Sequence, residues 1–223
     1  NSIILESEEA ADYIQERQLI TEVERIKVLE YILNRTQGVD AIRSVKSPYF
    51  YRKAIQQKIN ELKREGINSK DFEEAMAKVK PDGVYIEDKH IPKLKAFATV
   101  YKLYEEYKSG KNPDLFDERG RYDFDDMIII AIEALRSEPE LKRAMKEQYA
   151  YVMVDEFQDT NGAQLGLLFE LVDGKNPDLC CVGDDDQSIY RFQGASSGNF
   201  KLLKKRFPAT KEISLEKNYR STK

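Results

Sequence analysis

Apolar residues recur at helical spacing through the first half of the chain and in short unbroken runs through the second. Val23, Ile26, Leu29, Ile32 and Leu33 make the first stripe. It opens at Thr21 with Glu24 three residues on, a capping-box pair, and closes at Gly38. Ser47-Pro48 predicts a second helix start, an N-cap followed by proline at the first helical position. The stripe Tyr51, Ile55, Ile59 and Leu62 then runs to Gly66. Ser69 predicts the cap of a helix over 70–79, and Leu94, Phe97, Val100, Tyr101 and Tyr104 mark another over 91–107. Residues 1–5 read as the tail of a strand or a loop, and residues 108–121, polar with two glycines, as a loop.

At Tyr122 the character changes. Asp123, Asp125 and Asp126 precede an apolar helix over 127–135, where acids suit the helix dipole. A helix over 138–148 follows, and then three apolar runs at 151–154, 179–182 and 212–215 alternate with helices over 161–172 and 198–206. Runs without polar alternation predict strands buried on both faces. Strand and helix in alternation predict an α/β fold: a parallel sheet with helices on both faces and right-handed crossovers. Each run ends in polar residues, so all three clusters fall on one sheet edge, where such folds bind ligands. The first is Asp155-Glu156, the second Gly183-Asp184-Asp185-Asp186-Gln187, and the third contains Tyr219-Arg220.

Composition narrows the class. The 223 residues carry a net charge of −4, which argues against a basic coat over the whole surface but leaves room for a local basic groove. One such stretch is Arg43, Lys46, Arg52, Lys53, Lys58, Lys63 and Arg64, with Tyr49 and Phe50 off the apolar stripe. It reads either as a solvated helix face or as a track for a nucleic-acid backbone. Two adjacent cysteines, Cys180 and Cys181, make no disulfide framework and point to a reducing compartment. No apolar run approaches the roughly 20 residues of a membrane span. A single His90 leaves little room for histidine chemistry. The expectation is a cytoplasmic protein without a membrane partner.

Hydrolysis of a nucleoside triphosphate needs a carboxylate for the metal, a base for the water, a polar sensor of the terminal phosphate and a cation. Asp155, Glu156, Gln187 and Arg220 offer those functions, and Tyr219 offers a face to stack on a base. Singly, each has an ordinary alternative: acidic turn, turn residue, surface ion pair, edge packing. Their recurrence at successive strand ends favours one site.

The segments VDEFQDTNGAQ, VGDDDQSIYRFQGA and LEKNYRST resemble three consecutive motifs of superfamily 1 DNA helicases of the UvrD/Rep/PcrA type. YDFDDMI, at 122–128, resembles the helix start that precedes them. The likeness implies a RecA-like, P-loop NTPase type of sheet over 122–223, the C-terminal part of the first motor domain. Residues 1–121 have the place and character of the family's mainly helical 1B subdomain, with the first few belonging to the motor. It further implies that Asp155 coordinates Mg²⁺, Glu156 activates water, Gln187 senses the γ-phosphate, Tyr219 stacks on the adenine of ATP and Arg220 acts as an arginine finger. Tyr190 and Phe192 would meet the DNA strand.

Two departures stand out. Phe192-Gln193 occupies the place of the family's usual Trp-Arg, which keeps a stacking face and loses a cation. No G-x-x-x-x-G-K-[ST] loop is present, since Gly110-Lys111 and Gly174-Lys175 are each followed by asparagine. The expectation is a fragment that alone hydrolyses ATP negligibly, from an ATP-dependent DNA helicase or translocase acting in repair or replication. Its polarity would be 3′ to 5′ on single-stranded DNA, its partners duplex junctions and the remaining motor domains. The alternatives are a helicase–nuclease subunit of the AddA/RecB type and a non-catalytic DNA-binding module.

Overall fold

A computed structural model describes residues 2–44, 47–79, 87–111, 119–172, 174, 177–184 and 198–215. Helices dominate, and two small parallel sheets accompany them.

The chain starts with α1 (Ser2–Glu6) and α2 (Glu8–Gln15), so the expected strand or loop at 1–5 is a helical turn instead. Ile4 explains the difference: it is buried against Ala131, Leu135 and Met145, and helical backbone bonds itself where no strand partner is at hand. Ser7 accepts a hydrogen bond from the Ala10 N–H and so caps α2. Next, β1 (Gln18–Leu19) leads into α3 (Glu22–Arg35), which has the predicted Thr21/Glu24 capping box.

The Ser47-Pro48 start is displaced. Residues 47–51 form turns, with the Phe50 N–H bonded to the Ser47 carbonyl and the Arg52 N–H to that of Tyr49. Proline is as well suited to the second position of such a turn as to a helix start. Helix α4 (Arg52–Arg64) begins only after it. Its end is a Schellman cap: Gly66, at φ 72°, bonds back to Lys63, and Ile67 to Leu62. Asn68 rather than Ser69 then caps α5 (Ser69–Lys78).

Helix α6 (Ile91–Glu106) is the axis of the helical half. Its Ala96, Phe97, Val100, Tyr101 and Tyr104 pack against Leu29, Ile32 and Leu33 of α3 and Ile55 and Ile59 of α4. The expected loop at 108–121 ends in a strand, β2 (Arg121–Tyr122), parallel to β1 with Gln18 opposite Arg121. Hence the segments that lead into α3 and into the chain after Tyr122 lie side by side, a neck between two groups of helices.

Beyond that neck, α7 (Phe124–Ser137) and α8 (Pro139–Gln148) pack with α1 and α2 around Leu135 and Met145. Strand β3 (Val152–Val154) pairs in parallel with β4 (Leu179–Cys181), Val154 opposite Cys181. Helix α9 (Gly162–Leu171) connects them, and α10 (Asn199–Arg206) follows. Val152, Val154, Leu179 and Cys181 face a core built from Phe157, Leu165, Leu168, Leu203 and Phe207.

This sheet differs from expectation in two ways. Its strands are covered on one face only among the described residues: Met153, pointing the other way, is 77% exposed. Residues 212–215 do not form the third strand; Ile213 and Leu215 are 73% and 88% exposed. An apolar run becomes a strand only when it aligns with a ladder, and among the described residues 212–215 pairs with neither β3 nor β4.

Candidate functional site

Beta-sheet pairing brings the first two acid clusters together. Strands β3 and β4 are parallel and in register, so their carboxyl ends emerge side by side. Asp155 and Glu156 follow β3 directly, and Gly183-Asp184 follow β4 after one residue. The ladder continues past the strand ends, with the Val182 N–H on the Val154 carbonyl at 2.8 Å and the Phe157 N–H on the Val182 carbonyl at 2.9 Å.

Asp155 and Glu156 are exposed, whereas Phe157 is fully buried, its ring 4.9 Å from that of Phe200 in an edge-on contact. To seat Phe157 in the core and still turn the chain, Glu156 takes a left-handed conformation, φ 48° and ψ 43°. It is the one positive-φ residue other than glycine among those described. That conformation costs an L-residue about 1–2 kcal/mol, and such strain gathers at functional sites. The Asp155 carboxylate steadies the turn by accepting from the Glu156 N–H at 3.0 Å.

Gln158, buried, spans the two strand ends. Its Nε2 donates to Glu156 Oε2 at 2.7 Å, and its Oε1 accepts from the Asp184 N–H at 3.0 Å. The close approach needs Gly183, because a Cβ there would lie 2.4 Å from Gln158 Oε1 and 3.0 Å from the Phe157 nitrogen. In sequence Gln158 is not singled out, and Gly183 is only the first residue of the second acid cluster. Their signals were slight: a glutamine inside the first acid motif and a glycine where a strand meets its acids. Below them, Asn199 of α10 donates to the Thr160 carbonyl, and the Asn161/Gln164 capping box opens α9.

The residues fit Mg²⁺ in kind. Asp155 presents an accessible hard-oxygen donor with Asp184 on the adjoining strand end, and Mg²⁺ takes one or two carboxylates and fills its shell with water and phosphate. No group of three or more potential metal ligands gathers among the described residues. Gln187, Tyr190, Phe192, Tyr219 and Arg220 lie outside the described residues.

The basic stretch is largely spoken for by acids of its own fold. Arg52 pairs with Glu30, Lys58 with Glu61, and Arg43 with Asp40 at 3.5 Å. Lys63 is not a surface cation at all. It is 2% exposed, with Nζ 2.5 Å from Asp126, 2.7 Å from Asp123 and 3.0 Å from Glu105. Lys108, 1% exposed, reaches the same three acids, 2.7 Å from Asp126 and 2.8 Å from Glu105. Burial opposes the charge on Lys63, but Glu105, Asp126 and Asp123 outweigh it and raise its pKa well above the usual value. Burial likewise opposes the charge on Asp123, and Lys108 and Lys63 outweigh it, holding the carboxyl well below the usual range. Asp123 and Asp126 also form a capping box at the start of α7. Phe50 remains exposed beside this helix, and Tyr49 accepts a hydrogen bond from Asn34.

Residues 2–208 match the family model of the UvrD/REP helicase N-terminal domain. The chain is 41% identical over 128 residues to the ATP-dependent DNA helicase Rep of Buchnera aphidicola, covering 57% of this chain and 18% of that protein. It is 43% identical over 126 residues to the ATP-dependent DNA helicase PcrA of Staphylococcus epidermidis, covering 56% and 16%. The chain thus spans under a fifth of the length of these relatives. No helix among the described residues is long and apolar enough to cross a membrane.

Proposed function

The chain belongs to the UvrD/REP helicase family, and from that premise we propose that it is part of an ATP-driven DNA helicase and translocase. The observation that carries the reading is the exposed acid pair Asp155-Glu156, held beside the β4 end by a strained turn and a buried glutamine. The division follows the same lines: β3, β4, α9 and α10 belong to a RecA-like motor domain over 122–223. Residues 1–121 are a helical 1B-like insertion entered and left through the β1–β2 neck, while α1 and α2 pack with the motor helices α7 and α8.

In this proposal ATP binds over the carboxyl ends of β3 and β4. Asp155 would hold Mg²⁺, which would offset the negative charge of the phosphates. Glu156 takes the proton of the attacking water. Gln187 contacts the γ-phosphate, Arg220 meets the charge that develops on it, and Tyr219 stacks on the adenine. Tyr190 and Phe192 stack on single-stranded DNA, a contact worth about 1–3 kcal/mol per base and indifferent to base identity. The 3′-to-5′ polarity, the duplex-junction substrate and a role in repair or replication follow the family likeness.

The test is ATP turnover by the full-length protein with and without single-stranded DNA, with Glu156→Gln alongside. DNA-stimulated turnover that falls about 10²- to 10⁴-fold in the variant supports the reading. An intact protein without ATPase activity that still binds DNA makes the chain part of a non-catalytic binding module instead.

A further inference from the structure

We propose that Gln158 is a positioning residue that ties the placement of Glu156 to the placement of the chain leaving β4. The inference rests on the reading of Glu156 as the water-activating base. A backbone N–H can only donate, so Gln158 must turn its oxygen to Asp184 and its NH₂ to Glu156. The amide is rigid and buried, and Gly183 leaves it no slack: an added methyl would sit 2.4 Å from Oε1. Glu156 itself sits in a strained left-handed turn, between the core anchor Phe157 and the Asp155 carboxylate. Its backbone is therefore fixed, and the side chain is aimed by its contact with Gln158. A shift of Asp184 pulls on Oε1, and the same rigid group moves the donor at Glu156. Movement of the Asp184 N–H is thereby converted into movement of the carboxylate.

Three variants of the full-length protein test this, with DNA-stimulated ATP turnover, KM for ATP and thermal stability measured for each. Gln158→Glu keeps an acceptor for the Asp184 N–H but sets a carboxylate against Glu156. At pH 8 kcat is expected to fall about 10- to 100-fold, the scale of a misplaced catalytic group, with KM changed less than about threefold. As pH falls, protonation of the introduced carboxyl restores a donor to the ionised Glu156, so the ratio to wild type climbs. Gln158→Met removes both hydrogen bonds at similar volume and lowers kcat to a similar extent, with a ratio that stays flat with pH. Gly183→Ala reaches the same amide from the other strand and lowers kcat in the same way. Wild-type kcat in Gln158→Glu and Gln158→Met while Glu156→Gln is inactive overturns the inference alone. A pH-independent loss in Gln158→Glu that tracks lowered thermal stability also overturns it, since that is what a merely structural role gives. Full turnover in Glu156→Gln overturns the underlying reading and the inference with it.

Discussion

Two pairs of acids in this chain look alike on paper and live opposite lives. Asp123 and Asp126 are buried at the start of α7, satisfied by two lysines and by each other's backbone. Asp155 and Glu156 are exposed at the end of β3, in a strained turn with one side-chain donor among the described residues, Gln158, on Glu156. The first pair is a joint: Lys63 comes from α4, Lys108 from the turn after α6, and the acids from α7, so the helical half is bolted to the helix that follows the neck. The second pair leaves its oxygens open to solvent and ligand. A carboxylate surrounded by ammonium groups has no capacity left for chemistry, whereas one held by strain and a single amide keeps it.

The sharpest way to break the contrast is Lys63→Met. It leaves Asp123, Asp126 and Glu105 around Lys108 alone, and stranding buried charge costs about 3–5 kcal/mol. Calorimetry of the full-length protein should show a large fall in melting temperature, while DNA affinity of the folded protein stays put because Lys63 never reaches the surface. Asp126→Asn is milder, since two acids still face two lysines; the expected cost is about 1–3 kcal/mol, read in the same scan.

The pH dependence follows from the same cluster. The lowered pKa of Asp123 gives stability that is full above its ordinary value of 3.8 and lost as pH falls through its folded pKa. The raised pKa of Lys63 gives stability that is full below 10.5 and lost as pH rises through its folded pKa. Denaturation midpoints should hold flat between those limits on account of this cluster and fall outside them. Lys63→Met should remove the alkaline arm and shrink the acid arm, part of which Lys108 sustains.

Smaller effects sharpen the other side. Asn161→Ala, which removes the cap of α9, should cost about 1 kcal/mol in urea titration. Glu156→Gly should change stability hardly at all. Relief of left-handed strain, about 1 kcal/mol, offsets the lost hydrogen bond from Gln158, also about 1 kcal/mol. An unchanged melting temperature with turnover lost would separate this acid from those at the joint.

Local signals carried far in this chain. The Thr21/Glu24 capping box, the stripe on α6 and the glycine stop at Gly66 are written in neighbouring residues, because helix ends satisfy their backbone within a few positions. The acid pair after β3 was equally legible, as a change from apolar to charged at one point. Lys63 was not: in sequence it belongs to a basic helix face, and its acids lie 60 and 63 residues away. Gln158 and Gly183 were not either, since each has meaning only when the ends of β3 and β4 stand side by side. The failed strand at 212–215 belongs with them, for pairing depends on a neighbour that a local apolar run cannot supply.

The sequence by itself therefore determined most of the helices, the cap at Thr21 and the stop at Gly66, the acids after β3 and β4, and the family motifs, all of which rest on interactions spanning a few residues. Only the tertiary structure decided which charges are buried and spent, which acid is left open, and what holds it in place. Burial and partnership are set by chain segments that are distant in sequence and adjacent only once folded.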